Sequence, residues 1–340
     1  MEPGWLALAL TPGVGPKRFL KAQAEHPTDP RAAARALGER VERAFLEVLN
    51  RGAAERVLDR AKALGAQVLG PGDPGYPEGL WHLPDPPVPL FVRGEVPRHN
   101  EAVAIVGTRR ASPWALAFAR DLAQTLAEFG VWVISGLARG VDAAAHKGAL
   151  EAQGPTLAVL GSALDRVYPP EHRALAERMS LVSEFPFGTG PRPEHFPRRN
   201  RIIAALSRAV VVVEAPERSG ALITARHALE FGREVLAVPG RPGDEKSRGA
   251  NRLIQDGAFP LLEPAEILTY LGLEPKVRKR PAVPPHLEAL QRALLALGEA
   301  LPDDLAQRTG LPAPQVLAGL AELELLGLAE ALPGGRYRAR

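Results

Sequence analysis

Short apolar runs rich in β-branched residues recur through the middle of the chain: AVAIV at 102–106, VWVI at 131–134, TLAVL at 156–160, LVSE at 181–184, AVVVV at 209–213 and VLAV at 235–238. Between them lie segments whose apolar positions fall at helical spacing. Strands buried on both faces read as continuous apolar runs, and strand–helix alternation is the pattern of a parallel sheet covered by helices. The pattern predicts an α/β fold over 66–273, a Rossmann-like doubly wound parallel sheet. Upstream, residues 1–65 are rich in Ala, Leu, Arg and Glu and place Val41, Phe45, Val48 and Leu49 at helical spacing, which predicts a small helical domain. Within it, Leu10-Thr11-Pro12-Gly13-Val14-Gly15-Pro16-Lys17 has the form of a helix-hairpin-helix turn, as in SAM-like domains; turn chemistry alone favours a plain Gly/Pro turn between packed helices. Residues 70–94 (GPGDPGYPEGLWHLPDPPVPLFVRG) are too broken for a helix. They are expected to be extended, with Tyr76, Trp81 and Phe91 packed on the flank of the sheet domain. A charged, proline-punctuated linker is expected at 274–285. The remainder, 286–340, gives three helical patterns and a hairpin signal at Leu332-Pro333-Gly334-Gly335-Arg336-Tyr337, the layout of a winged helix.

Composition narrows the chemistry. The 340 residues include no cysteine, which excludes disulfides, Cys-ligated zinc, iron–sulfur clusters and thiol nucleophiles. The first 15 residues lack the basic start of a secretory signal, and no apolar run approaches the ~18 residues of a spanning helix, so a cytoplasmic protein without membrane contact is expected. A net charge of +3 and a pI near 9.3 leave nucleic-acid binding open without establishing it.

Ligands of open parallel sheets bind beyond the carboxyl ends of the strands, so the turns there carry the candidates. Gly107-Thr108-Arg109-Arg110-Ala111-Ser112 follows the first run. Ser135-Gly136-Leu137-Ala138-Arg139-Gly140-Val141-Asp142 follows the second, opening a segment with His146. A longer turn after the fourth reaches His195-Phe196-Pro197-Arg198-Arg199-Asn200-Arg201, and Ser219-Gly220 lies after the fifth. Glycine and hydroxyl residues between strand and helix expose backbone N–H groups where the helix dipole favours anions. Neither G-x-G-x-x-G nor G-x-x-x-x-G-K-[ST] is present, so dinucleotide and P-loop readings have no warrant. Three guanidiniums within Arg198–Arg201 repel unless something anionic compensates, and cations at a helix start oppose its dipole. Phosphate recognition therefore suits these residues better than a structural role, and Asn200 can offer donor and acceptor to a base edge. Asp142 and His146 share a helical face but have no nucleophile beside them, so a structural hydrogen bond is expected rather than catalysis. No His cluster has metal-ligand spacing.

These turns resemble the DNA-processing protein A family (DprA, also called Smf). The resemblance runs through Ala104-Ile105-Val106-Gly107-Thr108-Arg109, Ile134-Ser135-Gly136-Leu137-Ala138-Arg139-Gly140-Val141-Asp142, Leu160-Gly161-Ser162-Ala163-Leu164-Asp165-Arg166-Val167-Tyr168-Pro169, Phe196-Pro197-Arg198-Arg199-Asn200-Arg201-Ile202-Ile203, and Ser219-Gly220-Ala221-Leu222-Ile223-Thr224. It implies a cytoplasmic protein, homodimeric through the Rossmann-like domain, that binds single-stranded DNA, protects it and loads RecA recombinase during natural transformation, with no enzymatic activity and no cofactor. The implied DNA pocket involves Gly107, Arg109, Ser135, Gly136, Tyr168, Arg199, Asn200, Arg201, Ser219 and Gly220; Thr108, Arg139 and Arg198 join it from their places in the same turns. Ser162-Ala163 departs from the Asn-Gly or Cys-Gly of many members. The rival reading is a nucleoside-monophosphate phosphoribohydrolase of the same superfamily, whose Pro-Gly-Gly-x-Gly-Thr turn and following glutamate are missing here; a nucleotide-sensing module is a third. In the winged helix, the helical pattern at 314–326 carries Glu322 and Glu324 but no Lys or Arg, the wrong sign for phosphates. A protein-contact or regulatory module is expected there, with Arg336, Arg338 and Arg340 as the available DNA tether.

Overall fold

A computed structural model describes residues 1–98, 101–273 and 283–339. The expected linker falls largely on 274–282, outside the described residues, as does Arg340. Two compact units result, one ending at Leu273 and one beyond it.

The first unit begins with five helices: α1 (Pro3–Ala9), α2 (Pro16–Glu25), α3 (Pro30–Ala36), α4 (Glu39–Asn50) and α5 (Ala53–Ala63). Proline at the first turn of α1, α2 and α3 suits a position whose N–H has no helical partner. The sheet and its helices follow as β1 (Ala66–Leu69), β2 (Leu90–Arg93), β3 (Ala102–Val106), α6 (Pro113–Glu128), β4 (Trp132–Ser135), α7 (Val141–Glu151), β5 (Thr156–Val159), α8 (Arg173–Ala176), β6 (Ser180–Ser183), α9 (His195–Ala205), β7 (Ala209–Val212), α10 (Gly220–Glu230), β8 (Glu234–Ala237), α11 (Arg248–Gln255), β9 (Phe259–Pro260) and α12 (Glu266–Tyr270). All six apolar runs become strands.

The order is β1-β2-β6-β5-β4-β3-β7-β8-β9, parallel from β6 to β9. Alternation along β3 shows the double winding directly: Val103 and Ile105 join the core beneath α6 and α7, while Ala102, Ala104 and Val106 face α9 and α10. From β3 the chain builds β4, β5 and β6 to one side, then returns to place β7 and β8 on the other. The strand order therefore reverses between β3 and β7.

The proline-rich segment does more than lead into the sheet. β2 pairs antiparallel with both β1 and β6, widening the sheet to nine strands. Phe91 lies at the centre of a core that includes Trp5, Phe19 and Phe45 from the helices with Leu160 and Leu181 from the sheet. The helical segment and the sheet thus share one core. Tyr76 is buried and donates its hydroxyl hydrogen to the Pro87 carbonyl at 3.0 Å. Trp81 departs from expectation: it is half exposed, with its ring edge-on to Tyr76 at 6.2 Å. Among the described residues, no helix is long and apolar enough to cross a membrane.

The second unit holds α13 (Glu288–Leu297), β10 (Glu299–Ala300), α14 (Pro302–Thr309), α15 (Ala313–Leu325), β11 (Ala329–Leu332) and β12 (Arg336–Ala339), with a sheet of order β10-β12-β11. Leu287, Leu290, Leu294, Leu305, Val316, Leu320 and Leu323 form its core. Three helices and a terminal hairpin are a winged helix.

His146 sits fully buried in α7. The Thr156 hydroxyl donates to the Val133 carbonyl at 2.8 Å, so it accepts from His146 Nδ1–H at 2.7 Å, leaving Nε2 bare and the ring neutral. Burial, with Arg199 nearby, holds the imidazole down at about 3. Unfolded, it titrates near 6.5, so the unfolded chain takes the proton first and stability is lost as pH falls below that value. The expected loss approaches ~1.4 kcal/mol per pH unit between pH 6 and 4. Urea denaturation at several pH values measures it; an equal acid sensitivity in His146→Gln would assign the loss to other groups.

Candidate functional site

At the point where the strand order reverses, a cleft of about 800 Å³ opens beyond the carboxyl ends of the strands. Open α/β sheets bind ligands at such a crevice. One wall is the turn after β3. Its backbone is clamped: Thr108 N–H donates to the Glu214 carbonyl at 2.7 Å, and Ser112 N–H to the Glu214 carboxylate at 2.9 Å. Gly140, at φ 77°, lies so close beneath the Thr108 carbonyl that a Cβ would collide with it. The opposite wall is the start of α10, where Ser219 caps the helix by accepting from Ala221 N–H at 3.3 Å. A side chain at Gly220 would point into open space.

The floor and far wall come from α9 and the turn before it. Arg109 lies over the Phe196 ring at 5.0 Å, and Tyr168 packs beside the same ring at 5.8 Å. Asn200 donates from Nδ2 to the Gly220 carbonyl at 3.1 Å, tying α9 to α10. Arg199 is buried, donates from Nη1 to the Val159 carbonyl and leaves Nε without a partner. Burial brings its guanidinium down to about 10, with Asp142 opposing and Arg109 adding to the shift; it stays a cation at neutral pH. Its space exists because residue 136 is glycine, since a Cβ there would strike the guanidinium.

Arg109, Arg110, Arg192 and Arg199 all line the cleft, against a single carboxylate, Asp142. Among the described residues none of these four guanidiniums has a carboxylate within ion-pair distance. Asp142 is committed elsewhere, accepting from Gly136 N–H at 3.1 Å and Ala138 N–H at 3.3 Å. Burial pushes its carboxyl up while Arg199 and those N–H groups hold it back. It does not pair with His146; each takes its own structural partner.

Eight of the thirteen candidates are brought together: Gly107, Thr108, Arg109, Tyr168, Arg199, Asn200, Ser219 and Gly220. The other five are not. Ser135 is buried and donates its hydroxyl hydrogen to the Ile105 carbonyl at 2.6 Å, and Gly136 gives its N–H to Asp142, so neither of these two groups is turned to the cleft. Arg139 leaves the cleft to pair with Glu171 at 2.5 Å. Arg198 and Arg201 both reach Glu184, at 2.8 and 2.7 Å, and Arg201 also meets Asp85 at 3.4 Å. The compensating anion for this part of the run is thus a buried carboxylate of the protein. In the loop that departs from many members, Ser162 turns inward to the Arg166 carbonyl at 2.6 Å, and Ala163 is buried.

A family model described as DNA recombination-mediator protein A matches residues 67–272, and one described as DprA winged helix domain matches 278–335. The chain belongs to the DNA recombination-mediator protein A (DprA) family. It is 36% identical to Protein Smf of Synechocystis over 99% of this chain and 98% of that protein, and 43% identical to Protein Smf of Escherichia coli over 78% and 75%. Among solved structures, DNA processing protein A from Streptococcus pneumoniae matches with a TM-score of 0.67 at 32% identity, over 79% of this chain and 98% of that one. A Helicobacter pylori DprA structure, described as giving insight into that protein's single-stranded DNA binding mode, matches with a TM-score of 0.54 at 28% identity, over 61% and 95%.

Within this DprA fold the cleft also holds Arg110, Arg192 and Phe196, which sequence reasoning left out of the site. Arg110 adjoins Arg109 in the same strand-end turn. Arg192 lines the cleft, is exposed and stands between two prolines, Pro191 and Pro193, which restrict the backbone there.

Proposed function

We propose that this DprA protein binds single-stranded DNA in the cleft through the sugar–phosphate backbone, and that as a homodimer joined through the sheet domain it protects the strand and delivers it to RecA in the cytoplasm during natural transformation. The observation that carries the reading is the set of four cleft guanidiniums without carboxylate partners, beside an open helix start at Gly220. Phosphates neutralise such groups at little cost, and the Phe196 and Tyr168 rings offer an unpaired base a surface to stack on. With aromatics at only 5% of the chain, backbone contacts dominate and sequence selectivity is weak.

No reaction is assigned to the cleft. Its one carboxylate, Asp142, is buried and accepts from two backbone N–H groups, which suits a structural role. Incubation with AMP is expected to release no free base; turnover would favour the phosphoribohydrolase reading instead.

Gly220→Asp tests the location. The side chain has room, and a carboxylate at a helix start is not destabilising, so the melting temperature should hold. Affinity for an oligo-dT of about 20 nucleotides should fall at least ten-fold as the new charge faces the phosphates. Unchanged affinity in a folded variant would move the strand away from α10.

A further inference from the structure

We propose that the outer face of α15, the helix a DNA-reading winged helix would lay in a groove, is a protein-docking surface that seats in an apolar groove edged by Lys or Arg on a partner protein. The inner face of this helix is already spent, with Val316, Leu320 and Leu323 buried in the core of the unit. The outer face is apolar as well. Leu317, Ala321 and Leu325 are exposed at i, i+4 and i+8, joined by Pro314 and Ala318, so the stripe runs the length of the helix. Leu317 is 50% exposed and Leu325 89% exposed. A single exposed leucine needs no explanation, but a helix apolar on both faces calls for cover on both.

Charge selects the occupant. The only ionised groups on α15 are Glu322 and Glu324, and residues 283–339 carry seven carboxylates against four guanidiniums. In the wing Arg338 is paired with Glu330 at 3.2 Å, which leaves Arg336 as its one described guanidinium without a carboxylate partner against the excess of carboxylates. Phosphates would be repelled from this face, whereas a groove with an apolar floor and basic edges complements both the stripe and its flanking glutamates. A second copy of the unit would bring the same negative charge to the contact.

The test is in-cell photo-crosslinking with the full chain carrying benzoylphenylalanine in place of Leu317, followed by mass-spectrometric mapping of the adduct. The expected result is a discrete adduct with another protein, mapped to apolar residues flanked by Lys or Arg. That protein, once purified, should bind the full chain at least ten-fold more weakly after Leu325→Asp, a change at an exposed position that leaves the melting curve in place. Oligo-dT binding by the same variant is expected to be unchanged, which separates this surface from the cleft. An adduct with nucleic acid, with a second copy or with an acidic surface, the absence of a discrete adduct, or a partner indifferent to Leu325→Asp would overturn the proposal.

Discussion

Replacing Glu184 by alanine is expected to destabilise the first unit by about 3–5 kcal/mol, the cost of leaving a buried charge without its partner. Glu184 is almost wholly enclosed and holds two cations, Arg198 from the exposed side and the buried Arg201. Burial pushes its carboxyl up, while the guanidiniums of Arg201 and Arg198 oppose that shift. Without the carboxylate, Arg201 keeps only Asp85, at 3.4 Å and half exposed, and its Nη1 already lacks a partner. Glu184→Gln should fall between wild type and Glu184→Ala, because the amide oxygen still accepts a hydrogen bond but cannot neutralise. Urea denaturation of the three proteins provides the comparison. A loss below about 1 kcal/mol for Glu184→Ala would mean that the arginines find water, and that the pair is not what anchors α9.

Gly136→Ala should be the more damaging change for binding. The added methyl occupies the place of the Arg199 guanidinium, which is buried and tied to the Val159 carbonyl and so cannot yield by a small rotation. The side chain must leave, taking a cation from the cleft floor and disturbing α9, where Asn200 and Phe196 also sit. A stability loss of about 2–4 kcal/mol is expected from overpacking with a displaced buried charge. Oligonucleotide affinity should drop more than ten-fold. Both effects are coupled to Arg199, so Gly136→Ala combined with Arg199→Ala should be less destabilising than the sum of the single changes by at least ~1 kcal/mol. Additive losses would show that the methyl acts on something other than the guanidinium.

Most of the sheet was legible because its physics is local. Strands buried on both faces must be apolar throughout, and each of the six runs could be read without knowing its neighbours. β2 reads from the sequence only as extended chain among prolines, and what makes Leu90–Arg93 a strand of the sheet is the pair of partners, β1 and β6, on either side of it. The site divided along the same line. Arg109, Asn200, Ser219 and Gly220 could be placed from their position after strands, since the topology sends every such turn to one edge. The fate of Arg198 and Arg201 could not, because it depends on Glu184, which opens the same long connection eleven or more residues earlier and reaches them only once β6 and α9 are packed. Gly136 reads as a phosphate-binding glycine by composition. Its missing side chain instead makes room for Arg199, a requirement visible only in three dimensions.

The central claim is that phosphates are held by the unpaired arginines of the cleft. Its most direct test is the affinity of labelled oligo-dT, about 20 nucleotides long, across a salt series, comparing wild type with Arg109→Ala combined with Arg192→Ala. Both side chains are exposed and have no carboxylate partner among the described residues, so their removal spares the fold. For single strands each lost phosphate contact lowers the slope of log K against log salt by about 0.7. The account predicts salt-sensitive binding by wild type, and in the double variant an affinity at least 30-fold lower at low salt with a slope reduced by roughly 1.4. Binding that keeps both its strength and its slope in the double variant would contradict the account and place the strand outside the cleft.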